Sequence, residues 1–140
     1  MKEFLSLGLL LNRASTSLAK SMTNKLKENK IDLPHSQFIV LRCLFYEDGI
    51  SQQQIASLLF KDAAAIKRTI DQLEQKGLVI REQIRSQKNH IYVTQEGKQM
   101  KSKILNLAEV ATNSALKNIS DEEFENFKAI LNKIYDNTNA

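Results

Sequence analysis

Residues able to act on another molecule gather between positions 61 and 92. The stretch KDAAAIKRTIDQLEQKG (61–77) places Ala63, Ala64 and Ala65 just before Lys67 and Arg68. Ile66, Ile70 and Leu73 recur at helical spacing, which predicts a helix with that stripe turned inward. Lys61, Ala64, Arg68 and Asp71 then lie on the opposite face, with Ala65 and Lys67 on its flanks. Small side chains let a backbone sit deep in a groove, and alanine methyls can touch thymine methyls. Lys67 and Arg68 can reach phosphates or guanine. The plainer reading of the same face is ordinary solvated charge. Downstream, Arg81, Arg85, Lys88 and His90 fall in or beside the tip of a predicted hairpin. From 61 to 92 there are seven Lys/Arg against four Asp/Glu, so this segment holds three of the chain's four net positive charges. The chemistry on offer is polyanion binding.

Other chemistries find no footing. His35 and His90 are far apart, and no His/Cys/Asp/Glu group has metal-ligand spacing, so no metal is expected and structural or solvent roles fit both histidines. There is no Gly-rich phosphate loop and no G-x-S-x-G elbow. The carboxylates of DEE (121–123) open a helix, where its dipole favours them. The sequence therefore predicts no enzyme, no catalytic residue and no cofactor. Cys43, the single cysteine, excludes an internal disulfide and suits a reducing compartment. It reads as a small core residue, the alternative being a redox sensor.

These residues need elements to position them. With one proline and four glycines in 140 residues, few breaks are available and long helices are expected. Phe4, Leu7, Leu11, Ala14, Leu18, Met22 and Leu26 form one helical stripe to about Glu28, too long for a signal h-region. No stretch approaches a transmembrane length, so a soluble cytoplasmic protein without a membrane partner is expected. Pro34 ends the break after that helix. A second helix fits 35–47, with Phe38, Leu41, Leu44 and Phe45 on one face. Ser51 and Gln54 make a capping box for a short third helix. Asp62 caps the fourth helix, and Gly77 ends it. LVIREQI (78–84) and HIYVT (90–94) bracket the polar RSQKN as a β-hairpin. Thr94 caps a long fifth helix. Ser120 with Glu123 opens a last one, striped by Phe124, Phe127, Leu131 and Ile134. The fold class is mostly α with a small β-wing. Residues 35–94 spell a winged helix-turn-helix, flanked by an N-terminal dimerisation helix (1–34) and C-terminal dimerisation helices (95–140). The flanking stripes carry more apolar surface than so small a domain can cover, which predicts a homodimer.

At SQFIVLRCL, SQQQIASLL, KDAAAIKRTIDQLEQKGLV and IYVTQEGKQM the chain resembles the MarR (multiple-antibiotic-resistance regulator) family of transcriptional repressors over nearly its whole length. The run from Asp62 to Val79 is the most specific of these motifs. The resemblance implies a dimer core of the first and last two helices, with two winged domains reading a pseudopalindromic operator in double-stranded DNA. It also implies a small, often aromatic or anionic, effector bound between dimer core and winged domain, which releases DNA. The DNA-facing set is Ser51, Gln53, Lys61, Ala64, Ala65, Lys67, Arg68, Arg85 and Lys88. In the crevice between the first, second and fifth helices, Arg13 could face a ligand anion and Phe38 give an apolar wall. Arg13 could equally be a surface or interface charge. The chain departs from the family in the wing, where the usual Asp-x-Arg is replaced by Arg85 and Gln87, and at Ala65 and Lys67, where Ser or Thr is common. The alternative reading is a dimeric winged-helix interaction module that has lost specific DNA binding.

Overall fold

A computed structural model describes residues 6–85 and 88–140, with the backbone alone at 84, 85 and 88. Phe4 of the first stripe and Gln87 of the wing lie outside the described residues. In chain order the elements are α1 (Leu7–Glu28), α2 (His35–Tyr46), β1 (Ile50–Ser51), α3 (Gln52–Leu58), α4 (Ala63–Gln75), β2 (Val79–Arg85), β3 (Lys88–Val93), α5 (Gln95–Ala115) and α6 (Asp121–Thr138). The expected architecture is met: helices with one small antiparallel sheet, in strand order β1-β3-β2.

Local chemistry sets the boundaries. The Ser51 hydroxyl accepts from Gln54 N at 3.1 Å, and the Gln54 side chain accepts from Ser51 N at 2.8 Å, so both halves of the capping box form. Asp62 Oδ1 accepts from Ala65 N at 2.8 Å and starts α4. That helix ends in a Schellman turn: Gly77 has φ +75°, its N–H donates to the Glu74 carbonyl, and Leu78 N donates to that of Leu73. Ser120 and Glu123 cap α6 reciprocally, and the hydrogen bonds from Ser120 hold the Glu123 carboxyl below the usual range.

Two expectations are corrected. β1 was not foreseen; it pairs Ile50 with Ile91 and so ties the helix-turn-helix to the wing. The hairpin is also longer than its pattern suggested, since Arg85 and Lys88, read as loop, face each other across β2 and β3. Two-residue strands have no period to detect, and backbone pairing carries the hairpin past its last β-branched residue.

The core fills the space between α1, α2, α4, α5 and the sheet. Leu26, Val40, Leu41, Ile55, Ile70, Leu73, Ile91 and Ile104 are fully buried. Each large aliphatic side chain so buried contributes about 1.5–3 kcal/mol. The start of α5 is pressed onto the end of α4. Thr94 Oγ1 donates to the Gly77 carbonyl at 2.6 Å and accepts from Gly97 N at 3.1 Å. A Cβ at Gly97 would stand 2.5 Å from the Leu78 carbonyl oxygen and 2.6 Å from Val93 Cγ1, so only glycine fits there.

The two ends of the chain are packed quite differently. Only Met22 and Leu26 of α1 are buried, and no residue of α6 is. Leu18 is 53% exposed and Phe127 49%. The tip of α6 touches the turn of the helix-turn-helix: Tyr135 meets Phe60 edge-on with ring centroids 5.8 Å apart, and Phe60 sits at φ +52°. No helix among the described residues is long and apolar enough to cross a membrane.

Candidate nucleic-acid interface

The spacing of α4 decides what it shows. Ile66, Thr69, Ile70 and Leu73 are buried, so Lys61, Ala63, Ala64, Lys67 and Arg68 are left exposed and Ala65 partly so. The N-terminal half of the helix is thus a convex face of small side chains flanked by cations. Lys61 and Arg68 have no ion-pair partner among the described residues. Lys67 is 64% exposed and pairs with Asp71 across one turn at 3.2 Å. Ser51 and Gln53 share a polar depression with Gln54, Ser57 and His90, where α3 meets β3. The structure therefore exposes Ala64, Lys67 and Arg68 on the outer side of α4, with Ala65 half-buried at its flank, Lys61 just before the Asp62 cap, and Ser51 and Gln53 at the start of α3. Arg85 and Lys88 are placed by backbone only, opposite each other at the far end of the hairpin.

Two of the cations counted between 61 and 92, Arg81 and Lys76, turn back onto the domain, and His90 takes a structural role as expected. Arg81, expected near the wing tip, pairs with Ile91 in the sheet and turns its side chain onto α4. There its guanidinium is 2.6 Å from Asp71 and bonded to Glu74. Lys76 folds back to the Asp32 carbonyl at 2.7 Å and Gln37 at 2.6 Å. His90 lies beside Gly49, its Nδ1 2.7 Å from that carbonyl oxygen, so Nδ1 carries the proton. Hydrogen bonds from Arg81, then from Lys67, hold the Asp71 carboxyl below the ordinary carboxylate range. The net positive charge of the segment is real, but part of it braces the domain.

A second candidate site is a cavity of about 480 Å³ among α1, α2, α5 and α6, lined by Leu11, Ala14, Leu18, Met22, Phe38, Ala108, Ala111, Phe127 and Leu131, with His35 and Arg42 as its titratable groups. Phe38 is in the wall as expected. Arg13 is not: it is exposed on α1, about 100° round the helix from the lining residue Ala14. The cation that reaches the cavity is Arg42, missed by sequence reasoning. Its guanidinium carbon lies 5.9 Å from the Phe38 ring and 5.9 Å from the Tyr46 ring, one turn to either side. That aromatic–Arg–aromatic spacing at i±4 was the available signal. Arg42 does not activate the neighbouring thiol; burial and then Glu47 push the Cys43 pKa up. Burial and then the Lys61 charge push that of His35 down. No cluster of metal-ligating side chains occurs among the described residues.

Comparison with known proteins fits this geometry. The model of the MarR family matches residues 33–89, which run from the end of the α1–α2 link into the wing. The uncharacterized HTH-type transcriptional regulator YybA of Bacillus subtilis is 25% identical over 109 residues, covering 76% of this chain and 73% of that one. The crystal structure of the S. aureus MepR–DNA complex superposes with a TM-score of 0.85 at 22% identity, over 96% of this chain and 98% of the other. BpsR of Bordetella bronchiseptica, whose DNA binding is regulated by 6-hydroxynicotinic acid, superposes at 0.81 with 21% identity, over 94% and 95%. The winged segment is thus matched by the MarR family model, and nearly the whole chain shares the fold of solved MarR-family regulators.

Proposed function

We propose that the protein is a cytoplasmic, homodimeric repressor that binds a pseudopalindromic operator in double-stranded DNA through α4 and releases it when a small aromatic or anionic effector occupies the α1/α2/α5/α6 cavity. The observation that carries DNA binding is the exposed face of α4, where Ala63 and Ala64 leave the backbone bare and Lys61 and Arg68 stand beside them without an ion-pair partner among the described residues. A groove-entering helix needs that combination of clearance and positive charge. The MepR–DNA complex, with the same fold, supports it. The DNA-contacting set is Ser51, Gln53, Lys61, Ala64, Ala65, Lys67 and Arg68, with Arg85 and Lys88 supplied by the wing. The exposed stripes of α1 and α6 are the surfaces a second copy covers. The effector reading rests on the mostly apolar wall with Arg42 at its edge, and on BpsR.

The test is selection of bound duplexes from a random DNA pool with purified protein, followed by titration at several salt concentrations. A palindromic motif with half-sites about one helical turn apart is expected. Arg68→Ala should flatten the salt slope by about one unit if it holds a phosphate, or relax one base position if it reads an edge. If no motif emerges and binding is weak and sequence-blind, the protein is the interaction module instead. For the effector, binding of aromatic acids should be weakened by operator DNA by the factor with which they weaken DNA binding.

A further inference from the structure

The contacts between β2 and α4 form a clamp whose centre is Arg81. After the Gly77 turn the chain runs back alongside α4, which brings Arg81 level with the second and third turns of that helix. Its Nη2 is 2.6 Å from Asp71 Oδ1 and donates to the Lys67 carbonyl at 3.3 Å. Its Nη1 bonds Glu74 Oε1, and its backbone N–H donates to Glu74 Oε2 at 3.4 Å. The Arg81 side chain is only 18% exposed, so it is not presented to DNA. Asp71 meanwhile spends its second oxygen, Oδ2, on Lys67 Nζ at 3.2 Å. One carboxylate thus has two cations: one fixed and mostly enclosed, the other on a flexible stem in solvent.

We propose that Arg81 is a positioning residue of the DNA interface, acting through Asp71: it neutralises the two carboxylates on α4 so that Lys67 can exchange Asp71 for a DNA phosphate. The inference rests on the reading that α4 meets DNA. Its physical core is competition. A lysine that is the sole counter-ion of a carboxylate leaves it at a cost, whereas a carboxylate already held by a guanidinium in good geometry releases its second partner readily. Asp71 and Glu74 left without Arg81 would in addition repel the phosphates that Lys67 and Arg68 approach. Lys67 is therefore a contact held in reserve, and Arg81 determines whether it is available.

The test measures affinity and salt slope on a duplex of about three helical turns carrying the selected operator. Arg81→Gln should weaken binding about tenfold and flatten the salt slope by about one unit, because Lys67 stays on Asp71. Adding Asp71→Asn and Glu74→Gln to that variant should restore both. Asp71→Asn alone, which keeps a hydrogen-bond acceptor for Arg81 and whose folding is checked by circular dichroism, should tighten binding severalfold on operator and random duplex alike. Arg81→Lys should bind more tightly than Arg81→Gln. A slope that stays flat in the triple variant means Arg81 itself touches phosphate and overturns the proposal. So does an affinity loss at full slope that the added substitutions do not repair, which marks a fold brace only. Unchanged or weaker binding by Asp71→Asn overturns it as well. Arg68→Ala on the same duplex separates the two readings. If it binds as wild type, α4 is not the DNA element. If it weakens binding while the Arg81 series fails, only the clamp is wrong.

Discussion

Gly97→Ala pits two effects of similar size against each other, and the structure decides their sign. Within a helix, Gly→Ala ordinarily stabilises by about 0.5–1 kcal/mol. Here the new methyl would stand 2.5 Å from the Leu78 carbonyl oxygen and 2.6 Å from Val93 Cγ1. Carbon atoms in contact prefer about 3.5–4.0 Å, so something must yield by about 1 Å. Neither neighbour yields easily. The Leu78 oxygen already accepts from Thr94 N at 3.0 Å, and Leu78 N is fixed to the Leu73 carbonyl by the Schellman turn. Val93 is buried. Overpacking of this kind costs about 1–3 kcal/mol, and with backbone as the obstacle the upper half of that range applies. The net effect is destabilisation by about 1–2 kcal/mol. At a urea slope of about 2 kcal/mol/M the unfolding midpoint falls by about 0.5–1 M, read by circular dichroism at fixed protein concentration so that dimerisation does not shift it. An unchanged or higher midpoint would refute the packing argument and show that helix propensity outweighs the clash.

Three further outcomes follow from the structure. Leu18→Glu combined with Phe127→Glu should convert a dimer to a monomer in sedimentation equilibrium, since each places a charge on an apolar stripe that the chain itself leaves open; a wild-type monomer at micromolar concentration would remove the dimer proposal altogether. Cys43 should react with a thiol reagent more slowly at pH 7.5 than a free cysteine, because burial and Glu47 raise its pKa and so deplete the thiolate; fast labelling would contradict that environment. His35 should make the fold less stable as pH falls below its ordinary value of 6.5. Its folded-state pKa is lowered, so the unfolded chain takes up a proton there before the folded chain does. His35→Gln should flatten that part of the stability–pH curve, and an equal slope in the variant would show that another group carries it.

The sequence disclosed what is local and periodic. Ser51 with Gln54, Asp62, Thr94 and Ser120 with Glu123 cap their helices as the motif spacing implies. The stripes of α2 and α4 are the core faces. The hidden features join residues from different elements. Asp71 and Arg81 are separated by a helix end, a turn and half a strand, and no spacing rule links them. Which of Arg13 and Arg42 reaches the cavity is set by the helix crossing, a tertiary fact, with the aromatic spacing around Arg42 as the one local hint. Charge counting cannot tell Arg68, which is exposed on α4, from Lys76, which anchors Gln37.

The Thr94 hydroxyl, shared between the Gly77 carbonyl and Gly97 N–H, has a mechanical consequence. With no space for so much as a methyl between the end of α4 and the start of α5, this joint has no play, and it cannot be the fulcrum of any switching motion. The winged domain and the first turns of α5 are packed as one piece. Ala108 and Ala111, in the cavity wall, lie about 16 Å or more along α5 from Gly97. Any bending between that part of the wall and α4 falls to the stretch of α5 beyond its first turns and to the Asn29–Pro34 link.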